Sequence, residues 1–297
     1  MNAETTPPAE KRTLNITCAD GYVLRAYFWP PQPGRAIVVL AGATAVPQRF
    51  YARFAQYLSG RGLGVITFDY RGVAESRYGP LRGFDADFLI WAQRDLEAVV
   101  NHALALGPVA VVGHSYGGNA FGLLSRANET LGMVAFASGS GWHDFMPPAE
   151  RIKVLFMWHV IGPLLTRMLG YQPTSWLGIG EDLPLGVYRH WKRWCAYPRF
   201  WLDDPTLNLA PVLAAIRVPM VAINSTDDAW VTPASARAVF DAYSGTTVKY
   251  IAVTPQSLGV PAIGHMGYFR QGVGDALWVN AADWITQWAT ERAQARA

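Results

Sequence analysis

The sequence predicts an α/β fold with a mostly parallel central sheet of about eight strands flanked by helices. Short apolar runs that lack polar alternation recur along the chain, as is typical of buried parallel strands. Segments with helical apolar spacing lie between them, so strands and helices alternate. Of the 297 residues, 51% are hydrophobic and only 16% are charged, which is enough apolar surface for a large core.

The first half of the chain contains an edge hairpin followed by alternating strands and helices. We expect a disordered polar lead over residues 1–12, because prolines and polar residues fill it. The predicted strands lie at residues 14–18, 23–29, 36–40, 65–68 and 109–112. The predicted helices lie at about residues 50–58 and 85–106. This order is that of a parallel α/β sheet.

The second half continues the sheet after an interruption. Strands are predicted at 133–137, 220–223 and 248–253, and helices at 233–243 and 276–288. The interruption, residues 141–211, has scattered prolines, no strand alternation and six of the twelve tryptophans: Trp142, Trp158, Trp176, Trp191, Trp194 and Trp201. The interruption begins at the C-terminal end of a predicted strand, and ligands bind at this end of open α/β sheets. We therefore expect it to form a helical lid over the site. A helical subdomain with core tryptophans is the alternative. The core domain would comprise 13–140 and 212–297.

A serine lies at the sharpest predicted turn. The apolar strand 109–112 ends in Gly-His-Ser-Tyr-Gly with Ser115 at its centre, and apolar residues at helical spacing continue to Ala127. A strand, a tight turn and a helix form the context of a nucleophile elbow. Gly113 and Gly117 are required because side chains there would collide with neighbouring elements.

A serine nucleophile needs a base and an acid that orients the base. His265 is the predicted base, because it lies in a glycine-flanked loop between the last strand and the last helix. The other histidines lie in a predicted helix, the elbow or the insertion. Asp228 is the preferred acid and Asp227 the alternative, since both follow the strand 220–223 and give the chain order serine, acid, histidine. Capping of the helix at Pro233 is the structural alternative for both.

Two backbone amides should stabilise an oxyanion in such a site. The amide of Tyr116 follows the nucleophile, and Ala43 in the turn after strand 36–40 is the preferred second donor. The side chains expected to contact the substrate are those of Thr44, His114, Trp142, Trp230 and Met266.

Three motifs carry a resemblance to a known family: GHSYGG, FDYRGVAES and IGHMGYFR. With them, the chain resembles α/β-hydrolase fold proteins of the serine hydrolase type, in particular the lid-bearing esterases, lipases and serine aminopeptidases. The resemblance spans residues 14–288. It departs from the family pattern at Ala41-Gly42, where His-Gly is common, and at Ala74, where a glycine is usual.

The expected activity is hydrolysis of a carboxylic ester, or a related acyl bond, of a small and largely apolar substrate through an acyl-enzyme. The same triad could instead serve an acyltransferase. A protein that binds a small ligand without catalysis is the alternative from a different class. We expect no metal and no organic cofactor.

Net charge and cysteine content restrict the expected partners and the expected compartment of the protein. The net charge of +3 and the lack of a basic cluster argue against a nucleic-acid partner. Cys18 and Cys195 lack disulfide or metal spacing, and no apolar signal segment occurs near residue 1, so we expect a cytoplasmic protein. The apolar stretch 152–169 contains charged residues, which argues against stable membrane insertion and leaves a membrane-surface role as a minority alternative. The oligomeric state is not predicted.

Overall fold

An eight-stranded sheet forms the centre of the protein, here described over residues 7–295 of a computed structural model. The strands of the chain are β1 (Arg12–Thr17), β2 (Val23–Trp29), β3 (Ile37–Ala41), β4 (Gly64–Phe68), β5 (Val109–His114), β6 (Met133–Phe136), β7 (Tyr171–Gln172), β8 (Leu183–Pro184), β9 (Met220–Ser225) and β10 (Val248–Val253). The sheet has the order β1-β2-β4-β3-β5-β6-β9-β10. Within this sheet β2 runs antiparallel to both of its neighbours, β1 and β4, and the other adjacent strands are parallel, so the predicted mostly parallel sheet is confirmed.

Helices pack on both faces of this sheet and form most of the segment between β6 and β9. They are α1 (Ala52–Gly60), α2 (Phe88–Ile90), α3 (Glu97–Leu104), α4 (Tyr116–Ala120), α5 (Pro148–Phe156), α6 (Gly162–Leu169), α7 (Leu185–Trp194), α8 (Ala210–Ala214), α9 (Pro233–Phe240), α10 (Pro255–Leu258) and α11 (Asp275–Gln294). Two π-helical segments, Trp91–Leu96 and Met157–Ile161, join α2 to α3 and α5 to α6. Buried side chains form one core on each face of the sheet, which explains why β3 to β6 and β9 are buried throughout.

The helix after the elbow is shorter than its apolar spacing predicted. It ends at Ala120, and after one 3-10 turn the chain becomes extended at Leu124. Leu123, Leu124 and Ala127 are nevertheless buried, so the spacing reflected burial of an irregular segment. Closely spaced glycines lower the helix propensity here, which accounts for the early end.

The N-terminal lead also differs from the prediction. Its residues 1–6 lie outside the described residues. Residues 7–11 have no regular secondary structure, but the amide of Ala9 donates to Ser59 Oγ at 2.9 Å. Arg12 pairs with Phe28 as the first residue of β1, because the hairpin supplies partners for its backbone groups.

The insertion 141–211 is mainly helical, with a small antiparallel pair, β7 and β8, that the sequence pattern did not predict. Strands of two residues are too short to show alternation. Trp158, Trp194 and Trp201 are buried within the protein, as in the alternative interpretation of this segment, whereas Trp176 is exposed. The helix Pro148–Leu169 is long and apolar enough to cross a membrane by length and composition, with 22% of its most apolar window buried.

Candidate active site

Ser115 occupies a strained turn between β5 and α4. Its φ of 53° and ψ of −117° lie outside the regions that ordinary residues favour, and such strain is typical of functional turns. A Cβ added to Gly117 would lie 2.1 Å from the carbonyl oxygen of Ala41, and one added to Gly113 would lie 2.3 Å from Gly118. Only glycine fits at these two positions, so the backbone holds the serine at the end of β5.

Asp228 and His265 form a hydrogen-bonded pair. Asp228 lies in the turn after β9, and its Oδ2 is 2.8 Å from His265 Nδ1. Its other oxygen accepts hydrogen bonds from the amides of Trp230 at 2.8 Å and Val231 at 3.0 Å. The carboxylate is fully buried, while 22% of the histidine side chain is exposed. This arrangement fixes the direction of the imidazole and leaves Nε2 available for proton transfer.

The neighbouring Asp227 holds the backbone of the histidine loop instead of the imidazole. Its oxygens accept hydrogen bonds from the amides of Ile263 at 2.9 Å and Gly264 at 3.0 Å, and from the hydroxyl of Ser225. Burial alone would raise the pKa of Asp227, but these hydrogen bonds lower it below its ordinary value. The two adjacent acids therefore have separate contacts, one with the ring of His265 and one with the loop that carries it.

The turn after β3 does not present the predicted oxyanion donor, the amide of Ala43, to the cavity. The amide of Ala43 donates to Tyr51 Oη at 2.8 Å, so it is already occupied. Thr44, the next residue, lines the cavity beside Ser115, and its amide donates to no partner among residues 7–295. Tyr116 is the first residue of α4, and the first amides of a helix lack partners within the helix. The amides of Tyr116 and Thr44, two residues that line the cavity, are therefore free to donate to a ligand, whereas that of Ala43 is not.

A hydrogen-bonded chain connects this turn to the histidine loop. Since Tyr51 accepts from the Ala43 amide, its hydroxyl donates to His114 Nδ1 at 2.9 Å. The proton of His114 is then on Nε2, which donates to the carbonyl oxygen of His265 at 2.9 Å. Burial lowers the pKa of His114 to about 3, so the ring is neutral at physiological pH. His114 was predicted to contact the substrate; that expectation is wrong, because its ring is fully buried behind the site.

A cavity of about 870 Å³ opens in front of Ser115 and His265. Of the predicted substrate contacts, Thr44, Trp230 and Met266 line it. Trp142 does not, because its indole packs against Phe145, with ring centroids 5.3 Å apart. Most of the lining is apolar, and much of it comes from the insertion: Val154, Phe156, Met157, Ile161, Leu177, Ile179, Trp191 and Phe200.

Ser115 and His265 share this cavity without a hydrogen bond between Ser115 Oγ and the imidazole in the part of the chain described. Catalytic hydrogen bonds of this kind are often long before substrate binds. A serine and a histidine in one cavity, with a buried carboxylate hydrogen-bonded to the histidine, can activate the serine for attack on a carbonyl carbon.

A sequence model described as the alpha/beta hydrolase family matches residues 37–273, which is most of the chain. The chain belongs to the alpha/beta hydrolase family. The order of the strands agrees with this membership, and the matched range contains the elbow, both aspartates and His265. The sequence matches none of the curated proteins with which it was compared.

Solved structures share the fold of this alpha/beta hydrolase at low sequence identity. A soluble variant of the monoglyceride lipase from Saccharomyces cerevisiae superposes with a TM-score of 0.64 at 18% identity, over 97% of this chain and 98% of that chain. An esterase from Pyrococcus furiosus has a TM-score of 0.62 at 15% identity, over 96% and 98%. A thermophilic esterase from Thermogutta terrifontis has a TM-score of 0.59 at 15% identity, over 94% and 99%.

Two residues of this alpha/beta hydrolase site, Glu150 and Tyr51, were not identified from the sequence. Glu150 in α5 lines the cavity and accepts a hydrogen bond at 3.1 Å from the indole of Trp230, two residues after Asp228. It therefore links the insertion to the turn that carries the acid. Tyr51 was assigned only to a helical segment, because the contact of its hydroxyl with Ala43 depends on the fold and leaves no pattern in the sequence.

Proposed function

We propose that the protein is a serine hydrolase that cleaves carboxylic esters through an acyl-enzyme. The observation that carries the proposal is the common cavity of Ser115 and His265, with His265 hydrogen-bonded to the buried Asp228. Membership of the alpha/beta hydrolase family and the esterase and lipase neighbours support the same class of reaction.

In the proposed mechanism, Ser115 Oγ attacks the ester carbonyl while His265 Nε2 takes its proton. The imidazolium is stabilised by Asp228, and the amides of Tyr116 and Thr44 bind the oxyanion. His265 then donates the proton to the leaving alkoxide, so the ester bond breaks and an alcohol departs. Water, deprotonated by His265, attacks the acyl-enzyme, and the carboxylic acid leaves as Ser115 regains its proton. These steps require neither a metal nor an organic cofactor.

The cavity favours an apolar substrate larger than an acetate ester. Its volume of about 870 Å³ falls within the range of sites for drug-sized ligands, and its lining is largely aliphatic and aromatic. Burial of each additional methylene group in such a cavity contributes about 0.8 kcal/mol, so kcat/KM should rise with acyl chain length until the cavity is filled. Since the insertion supplies much of the lining, we propose that it acts as a lid over the site.

The test is a series of p-nitrophenyl esters from acetate to longer acyl chains, assayed with the wild type and Ser115→Ala. We expect turnover that increases with chain length in the wild type and is abolished in the variant. Turnover that persists in Ser115→Ala would contradict a serine nucleophile, and absence of turnover on every ester would contradict the ester class. Product analysis with a competing alcohol distinguishes hydrolysis from acyl transfer.

We also retain the proposal of a reducing, cytoplasmic setting. Cys18 and Cys195 are both buried and form no disulfide. Burial raises the pKa of each thiol to about 12, so neither is a reactive thiolate.

A further inference from the structure

The exposed large apolar side chains of this protein are concentrated on one surface. Seven of the eleven found among residues 7–295 lie between Ile152 and Leu177. Five of them follow one another at intervals of four along the helix Pro148–Leu169: Ile152, Phe156, Val160, Leu164 and Met168. We refer to these five as the apolar stripe. Single exposed apolar residues are common, but a contiguous set marks an interaction surface.

The apolar stripe lies on the side of the helix that does not face the protein. Val154, Trp158 and Gly162, also four residues apart, are the buried positions of this helix. In a regular α-helix, positions four apart drift around the axis by about 40° per step. The π-helical turn Met157–Ile161 has more residues per turn and offsets this drift, so the stripe stays on one side.

The stripe adjoins the mouth of the active-site cavity. Phe156 is 54% exposed and also lines the cavity, and so does Leu177, which is 37% exposed, from the segment before β8. Trp176, next to Leu177, is exposed as well. The apolar stripe and the cavity lining therefore meet at Phe156.

Two cations at one end of the stripe, Arg82 and Arg167, form no ion pair with a carboxylate among residues 7–295. All six carboxylates of the insertion are in ion pairs: Asp144, Glu150, Glu181, Asp182, Asp203 and Asp204. Arg167, exposed near the end of α6, has no carboxylate partner among residues 7–295, and the guanidinium of Arg82 donates to the carbonyl of Met168. At the other end of the helix, Arg151 and Lys153 are paired with Asp144 and Glu150. Cations without a carboxylate partner beside an apolar face, as Arg167 and Arg82 are, are complementary to an anionic lipid surface.

We propose that the apolar stripe docks the protein on an anionic lipid bilayer, with the helix Pro148–Leu169 in the plane of the surface and the cavity mouth facing the lipids. A second copy of this chain fits the stripe less well, because it would cover the mouth at Phe156 and bring two sets of cations together. A spanning orientation conflicts with the buried contacts of Val154 and Trp158. The docking goes beyond the proposed ester hydrolysis and does not depend on it.

The test is flotation of the full-length Ser115→Ala protein with vesicles of phosphatidylcholine alone or mixed with phosphatidylglycerol. The use of this variant separates docking from catalysis. We expect binding to the mixed vesicles that weakens with added salt, and weaker binding to phosphatidylcholine alone. The triple variant V160Q/L164Q/M168Q should lose about tenfold or more in vesicle partitioning. None of its three positions lines the cavity, so in an otherwise wild-type background its turnover of a water-soluble short-chain ester should be unchanged.

The matched control is L106Q/V212Q/V279Q, which replaces three exposed apolar side chains elsewhere on the protein. It should bind vesicles like the parent protein, and circular dichroism should show that both triple variants are folded. Equal binding by the two triple variants, or no binding of the parent to the mixed vesicles, would overturn the proposal. A dimer in solution that dissociates only in V160Q/L164Q/M168Q, without vesicle binding by the parent, would assign the stripe to a second copy instead.

Discussion

Replacement of each of the two adjacent aspartates by asparagine should separate their roles. In Asp228→Asn, the amides of Trp230 and Val231 require an acceptor, so the asparagine oxygen takes the position of Oδ1. Its NH2 group then faces His265 Nδ1, where Oδ2 accepts at 2.8 Å in the wild type. Nδ1 must become an acceptor, which places the proton of His265 on Nε2. In that tautomer the ring cannot take the proton of Ser115.

The expected loss follows from this change of tautomer. A comparable asparagine substitution in another serine triad lowers kcat by about 10⁴. That factor corresponds to about 5 kcal/mol of transition-state stabilisation. Because the asparagine keeps both backbone hydrogen bonds, the free energy of unfolding should change by no more than about 1.5 kcal/mol.

Asp227→Asn should instead lower the stability of the protein more than Asp228→Asn does and its kcat less. The two oxygens of Asp227 accept hydrogen bonds from the amides of Ile263 and Gly264. Asparagine has only one acceptor oxygen, so one of these two amides loses its acceptor in the variant. An unpaired buried amide costs about 1–3 kcal/mol of stability. A small displacement of the histidine loop should lower kcat by no more than about 10².

Steady-state kcat on the best p-nitrophenyl ester and urea unfolding measure the two effects for both variants. The assignment of Asp228 as the acid is refuted if Asp227→Asn loses more activity than Asp228→Asn. An Asp228→Asn protein that retains a tenth of the wild-type kcat would refute the tautomer argument itself.

Three further substitutions, one of them with a control variant, test the framework of the site. Tyr51→Phe should destabilise the protein by about 2–4 kcal/mol in urea unfolding, because the two buried groups bonded to its hydroxyl lose their partner. Gly117→Ala should give little soluble protein, since its Cβ would lie 2.1 Å from Ala41 O, whereas Gly79→Ala, with open space around it, should fold normally. Burial raises the pKa of Asp69 from 3.8 to about 6. The protonated carboxyl of Asp69 therefore stabilises the folded state by about 3 kcal/mol below about pH 4, and this stabilisation is lost as pH rises through 6. Over that range, the free energy of unfolding of Asp69→Asn, measured in urea, should increase relative to that of the wild type.

The alternation of strands and helices could be predicted because burial on both faces of a parallel sheet leaves a simple apolar pattern. The strands from β3 to β6 are fully buried, and their sequences are nearly continuous apolar runs. The same reasoning failed after the elbow. Leu123 and Ala127 are buried in a segment that is not a regular α-helix, and periodicity reports burial rather than backbone conformation.

Some residues of the candidate site could likewise be predicted from the sequence, and others could not. Ser115 and His265 could be located because glycines on both sides of each mark turns with special backbone requirements. The second oxyanion amide could not, since the contact that occupies Ala43 comes from Tyr51, and only the folded structure brings that hydroxyl to the turn. Trp142 was expected at the cavity on composition alone, and composition does not specify which aromatic ring faces a ligand.

The central claim is that Ser115 is the nucleophile of an acyl-transfer site. Intact mass spectrometry after reaction with a fluorophosphonate, followed by peptide mapping, tests it most directly. We expect a single adduct on Ser115 in the wild type, much slower labelling in Asp228→Asn, and none in Ser115→Ala. An unlabelled wild type, or an adduct on any other residue, would contradict the claim.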